Sequence, residues 1–216
     1  MSEVIENKEM VEAIGKAPLK YLFNYFDDIK DGLIIEFGVH VGNTMRIIQH
    51  CTDRPVFGFD SFEGLPEAWT GAGGVPAGHF ACEVPTGFRE NVVLIKGWFE
   101  DTLKPFCEGM KSNVNGANKV SVIHIDCDVY SGARTIFNVL KEYDIFQDGT
   151  IIIFDEMMGY PKWEEGEFKA FNQFLQEDPK WNWECVGFHG GSKSDLINGG
   201  EVKCAFKLIS KETANG

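Results

Sequence analysis

Five short apolar runs punctuate the chain: LIIEF (33–37), VFGFD (56–60), NVVLI (91–95), VSVIHID (120–126) and TIIIFD (150–155). Their length and near-continuous hydrophobicity predict buried β-strands. Between and after them lie TMRIIQHC, WFEDTLKPFCEGM, SGARTIFNVLKEYDIF and EGEFKAFNQFLQED, each with apolar residues at helical spacing. Strands of this kind alternating with helices predict a mostly parallel sheet covered on both faces, with ligands at the carboxyl ends of the strands. Toward the C-terminus, WNWECVGF and EVKCAFKLI flank a Gly-rich stretch and read as two further strands forming an antiparallel edge. The expected fold is therefore α/β, with a seven-stranded sheet.

Two segments fall outside this alternation. Residues 1–31, ending PLKYLFNYFDDIK, read as an N-terminal helical cap, and 65–88 form a Gly/Pro/aromatic stretch too long for a simple connection. The second is expected to be a lid or acceptor loop. At 216 residues, with no internal repeat, the chain is expected to be a single domain, 1–216.

The first strand runs into GVHVGNT, which sets Glu36, Gly38 and Gly42 as E-x-G-x-x-x-G at a strand-to-helix turn. Gly38 lets the backbone bend and a ligand approach, and Gly42 lets the next helix start close to the sheet. The spacing is not G-x-G-x-x-G, so a nucleoside with an amino-acid tail fits better than a dinucleotide pyrophosphate, although any doubly wound protein can carry such a turn. Asp60 ends the second strand, where a carboxylate can accept both ribose hydroxyls of a ligand on that turn or simply cap the segment that follows.

Four acids gather at the ends of two further strands. Asp126 and Asp128 are two residues apart and lean to one face if extended, while Asp155 and Glu156 can turn together where the chain leaves the sheet. Such repulsion is offset by a hard divalent cation, Mg, Mn or Ca, unless the acids only cap the following helices. His124, inside an apolar strand, reads as a hydrogen-bonded core residue. His40 sits in the glycine turn, His79 and His189 fall in loops, and Trp69, Phe80 and Phe88 are candidates to line an acceptor site.

The net charge of −13 disfavours nucleic acid and anionic membrane surfaces, and no Lys/Arg cluster counters it. The six cysteines have no zinc spacing and read as reduced core residues. The acidic N-terminus and the lack of a spanning apolar run lead to the expectation of a soluble, cytoplasmic protein. Apolar N-terminal helices could pack against a second subunit, giving a homodimer.

EFGVHVGNT, GFDSFEGLPEAW, KGWFEDTL, HIDCDVYSGARTIFNVL and GTIIIFDEMMGY together resemble the macrocin-type O-methyltransferases, Rossmann-like class I enzymes that methylate sugar hydroxyls of antibiotics. The resemblance covers most of the chain. It implies that Glu36, Gly38 and Asp60 hold S-adenosylmethionine, with Val39, His40, Gly42, Ser61 and Asp126 in the same contact set and Gly97, Trp98 and Phe99 near the adenine. It further implies Mg on Asp126, Asp155 and Glu156, Asp128 as general base, and a small sugar or glycosylated acceptor. Members commonly carry two aspartates where this chain has Asp155 and Glu156. A catechol acceptor, or a non-catalytic module binding calcium and a glycan, are the competing readings.

Overall fold

A computed structural model describes residues 29–71, 73–111, 118–189 and 202–211. The proposed N-terminal cap lies almost wholly outside them. Seven strands form one sheet: β1 (Leu33–Phe37), β2 (Val56–Asp60), β3 (Val92–Lys96), β4 (Val120–Ile125), β5 (Ile151–Met158), β6 (Trp181–His189) and β7 (Val202–Ser210). The spatial order is β3-β2-β1-β4-β5-β7-β6. The first five strands pair in parallel, and β7 runs antiparallel between β5 and β6. The expected antiparallel C-terminal edge is therefore present, with the last strand inside and β6 outermost.

The pleat explains the two apolar layers. In β1, Leu33, Ile35 and Phe37 join the larger cluster with Phe137, Phe154, Phe171 and Phe206, while Ile34 faces the other side with Met45, Val56 and Val122. Helices α2 (Phe99–Lys111), α3 (Tyr130–Glu142) and α4 (Glu167–Glu177) supply the first layer, and the short α1 (Asn43–Ile48) packs on the second. Burial on both faces is what a parallel sheet requires.

Several boundaries differ from the sequence pattern. α3 stops at Glu142, because Asp144 takes a left-handed φ of 52° and turns Ile145 and Phe146 into the core. β4 ends at Ile125, so Asp126 and Asp128 do not share an extended face; Asp128 has φ 64°. β5 continues to Met158, so Asp155 and Glu156 lie inside the strand rather than beyond it. Phe154 pairs with Cys204 and Met158 with Val202, so four steps on β5 match two on β7. That bulge holds the two acids and frees them from strict alternation. β6 runs through His189, which the pattern placed in a loop.

None of the six cysteines forms a disulfide, and Cys107, Cys127, Cys185 and Cys204 are buried. No helix among the described residues is long and apolar enough to cross a membrane.

Candidate active site

At the carboxyl ends of β1 to β5 the turns converge on a cavity of about 490 Å³, a size suited to a small organic ligand. One half is built by the glycine turn and its neighbours. Gly38 has φ 89°, and a Cβ there would stand 1.7 Å from the carbonyl oxygen of Asp126, so this turn requires glycine because of the backbone that follows β4. Gly42 precedes α1 at φ 81°, and a Cβ would strike the Phe88 ring. Phe88 is thereby committed to Gly42 and to the guanidinium of Arg46, 4.5 Å from its centroid, while Trp69 and Phe80 line the cavity.

Asp60 organises this half. Its Oδ2 accepts hydrogen bonds from the backbone N–H of Val39 (2.8 Å) and His40 (2.7 Å), and its Oδ1 from that of Phe62 (2.7 Å). A carboxylate has about four lone-pair sites, so Asp60 ties down the glycine turn and keeps one acceptor for a ligand hydroxyl. His40 follows with a left-handed φ of 50°. Gly38, His40, Asp60, Ser61, Gly97, Trp98, Phe99 and Asp126 of the sequence-derived set all line the cavity; Glu36, Val39 and Gly42 do not.

Glu36 is instead buried against His124, its Oε1 3.0 Å from Nδ1. The opposite nitrogen of that imidazole lies 3.8 Å from Asp155 Oδ1, an ion-pair distance, and Lys203 Nζ pairs with the same oxygen. Burial opposes a charge on His124, but Asp155 and Glu36 outweigh it and raise its pKa to about 10. The Asp155 carboxyl, despite burial, is held below the usual range by His124, Glu156 and Lys203.

The other half of the cavity carries Asp126, Asp128 and Glu156, with one carboxyl oxygen from each lying within 4.8 Å of the others. Burial, then the Asp155 carboxylate, pushes Asp126 up to about 8; burial, then Asp126 and Asp155, holds Glu156 well above the ordinary carboxyl range. Glu156 is 6% exposed and its Oε2 has no hydrogen-bond partner. An all-oxygen donor set with an unsatisfied buried oxygen fits a hard divalent cation.

Glu167 is a residue the sequence reading missed. At the first turn of α4 and fully buried, its Oε1 accepts from the backbone N–H groups of Cys127 (3.1 Å) and Asp128 (3.2 Å), pinning the left-handed turn that aims Asp128. Its burial, and then Asp128, keep its carboxyl well above the ordinary range. In sequence it is one more Glu at a helix start, where acids are commonplace. Lys203 was missed as well, since a lysine on an edge hairpin carries no signal of a partner on β5.

The segment 65–88 folds over one side. Leu65 N–H donates to His79 O and Gly78 N–H to Leu65 O, and Trp69 bridges Val75. Leu65 and Trp69 then pack on Val129 and Tyr160 in a small separate core.

Fold and cavity define a Rossmann-like protein with a cavity beside the first strand-to-helix turn and an acidic cluster in its wall. A family profile described as a methyltransferase domain matches residues 35–157, more than half of the chain, and the chain belongs to that methyltransferase family. Among solved structures, it is similar to the O-methyltransferase NovP (18% identity, TM-score 0.56, 93% of this chain and 80% of that one). It is also similar to CalS11, a TDP-rhamnose 3'-O-methyltransferase of calicheamicin biosynthesis (18%, 0.55, 92% and 79%). An O-methyltransferase from Bacillus cereus in complex with SAH aligns with 13% identity, TM-score 0.53, over 96% of this chain and 89% of that one. At these identities the likeness is one of fold. No curated protein sequence matches the chain.

Proposed function

We propose that this methyltransferase is an S-adenosylmethionine-dependent O-methyltransferase of the macrocin type, transferring a methyl group to a hydroxyl of a sugar or glycosylated natural product with the help of a divalent cation. The observation that carries the reading is the joining of two halves in one cavity: the Asp60-tied glycine turn with Trp98 and Phe99, and the carboxylates Asp126, Asp128 and Glu156. NovP and CalS11 share the fold, and CalS11 acts on a nucleotide-linked deoxysugar, which supports the acceptor class.

In this reading Asp60 accepts a ribose hydroxyl, and Trp98 and Phe99 flank the adenine. Glu36, Val39 and Gly42 support the turn without lining the cavity. The acids Asp126, Asp128, Asp155 and Glu156 form the cation's surroundings; the cation, when bound, lowers the pKa of an acceptor hydroxyl and fixes its position. Asp128, held by Glu167, takes the hydroxyl proton as the methyl transfers. The aromatic walls, Trp69 and Phe80, shield the donor from water, and 65–88 acts as a lid.

Calorimetric titration of S-adenosylmethionine and S-adenosylhomocysteine, with Mg and then with chelator, tests the proposal. Micromolar binding that survives chelation supports it and leads to an acceptor screen of nucleotide sugars and glycosides against catechols. No binding in either condition refutes it.

A further inference from the structure

Beside the main cavity lies a recess of about 150 Å³, walled by residues 67–70 of the long segment, the turn into α3 and residues 160–166 after β5. It shares Trp69, Asp128 and Val129 with the cavity, so the two are neighbours. Independent small-molecule sites begin at roughly 300 Å³, which makes this recess an extension of the cavity rather than a site of its own. Its outer wall is fixed in place: Ser131 Oγ donates to Glu67 Oε1 (2.6 Å) and Thr70 Oγ1 to the carbonyl oxygen of Pro161 (2.5 Å).

Two donors in that wall lack a partner. Trp69 Nε1 and Tyr160 Oη are buried without a hydrogen bond, in residues 6% and 4% exposed. The two rings meet edge to face with centroids 5.4 Å apart, but an indole N–H only donates, so its nearness gives the Tyr160 proton no acceptor. Burial, then the Glu167 carboxylate, raise the Tyr160 pKa, and the hydroxyl therefore remains a donor. A Cβ on Gly166 would stand 2.2 Å from that hydroxyl, so glycine at the start of α4 keeps a side chain out of the space beside it. Buried indole and phenol groups ordinarily find partners, and ligand oxygens between the two rings would supply both.

Charge selects among oxygen-bearing groups. Among the residues lining the recess, Glu67, Asp128 and Glu165 stand against Lys162, a net negative wall that opposes a phosphate or carboxylate. An uncharged ring with hydroxyl and ether oxygens suits both the donors and the aromatic faces.

Resting on the sugar O-methyltransferase reading above, we propose that the acceptor carries a second, uncharged sugar ring next to the one that is methylated, and that this recess seats it. Trp69 Nε1 and Tyr160 Oη donate to its oxygens. Both atoms are covered in this structure, so the ring parts Trp69 from Tyr160 as it enters. The substrate class is then a glycoside of at least two units, not a free nucleotide sugar.

The test titrates methyl glycosides of glucose and rhamnose, each with one ring and with two, and UDP-glucose into protein saturated with S-adenosylhomocysteine. The Trp69 indole N–H resonance, identified by its loss in W69F, is followed by ¹⁵N–¹H correlation. A two-ring glycoside is expected to bind about tenfold tighter than its one-ring counterpart, the worth of two neutral hydrogen bonds, and to shift the indole signal. UDP-glucose is expected to bind more weakly than the two-ring glycoside. Y160F, which keeps the ring, is expected to lose about threefold or more of the two-ring advantage with unchanged S-adenosylhomocysteine affinity. Equal affinity for one ring and two, tighter binding of UDP-glucose, or the full advantage in Y160F overturns the proposal. Should Y160F not fold, wild-type crystals soaked with the tightest two-ring glycoside decide: a second ring between Trp69 and Tyr160 supports the proposal, and one lying elsewhere overturns it. Protein that binds S-adenosylhomocysteine but none of these sugars overturns this proposal and leaves the methyltransferase reading standing, whereas protein that binds neither overturns both.

Discussion

Replacing Glu167 separates its role as a backbone acceptor from its charge. In Glu167→Ala the N–H groups of Cys127 and Asp128 lose their acceptor at a fully buried position, and each buried unsatisfied donor costs about 1 to 3 kcal/mol. Asp128, no longer pinned at φ 64°, is free to leave a conformation that itself costs on the order of 1 kcal/mol. The net expectation, two donors less the relieved strain, is a loss of roughly 1 to 5 kcal/mol, or a melting temperature lower by on the order of 10 °C for a chain of this size. Glu167→Gln keeps an oxygen acceptor and removes a carboxyl whose ionised form burial and Asp128 oppose, so it should melt within a few degrees of wild type. Urea denaturation and thermal melting by circular dichroism measure both. In the alanine variant, turnover should fall more than S-adenosylhomocysteine affinity, because the cofactor half of the cavity is untouched. Wild-type stability in Glu167→Ala would refute the pinning of the 127–128 turn.

Gly38→Ala should be far more damaging than an ordinary Gly→Ala change, since its Cβ would stand 1.7 Å from the Asp126 carbonyl oxygen just past β4; calorimetry should find no S-adenosylhomocysteine binding, and low soluble yield is expected. Asp128→Asn should retain the cofactor Kd while lowering turnover by about 10² to 10⁴-fold in a methyl-transfer assay, the worth of a general base. Cation-free protein should lose stability as pH rises from about 5 to 8. Asp126 and Glu156 hold protons in the folded chain that the unfolded chain has released, so the folded state binds more protons throughout that window, and the Asp126 share of the loss is complete once that carboxyl ionises near about 8. His124 acts in the same direction, its stabilising charge complete below about 6.5 and lost as pH rises through about 10. Saturating Mg or Mn should flatten the dependence and raise the melting temperature by several degrees; a cation-independent, pH-independent melt would contradict the acidic cluster's geometry. Proteolysis within 70–88 should slow when cofactor and acceptor are both bound.

Local pattern was enough to place most of the sheet and the ligand end of it. The parallel strands, the glycine turn with Asp60, and the convergence of Asp126, Asp128 and Glu156 all follow from local patterns at strand ends once the strands are taken to lie parallel in one sheet. What escaped depends on distant pairings. The β5 bulge arises from the register with β7, Lys203 reaches Asp155 only because β7 inserts between β5 and β6, and Glu167 meets Cys127 and Asp128 across 40 and 39 positions. Periodicity overran the end of α3, because a helical rhythm continues through Ile145 and Phe146 even though the backbone reverses at Asp144.

Asp60 carries a consequence for how substitutions at the cofactor end are interpreted. Its carboxylate is wall and fastener at once: it lines the cavity and holds the N–H groups of Val39, His40 and Phe62. The turn is thus fastened by a side chain of the protein itself, and if the proposed donor binds there little ordering remains to be done on association. An Asp60→Asn chain loses seat and contact together. Amide exchange at Val39 and His40 tells them apart, since a loosened turn exchanges faster even in unliganded protein, whereas a lost ribose contact leaves those amides protected.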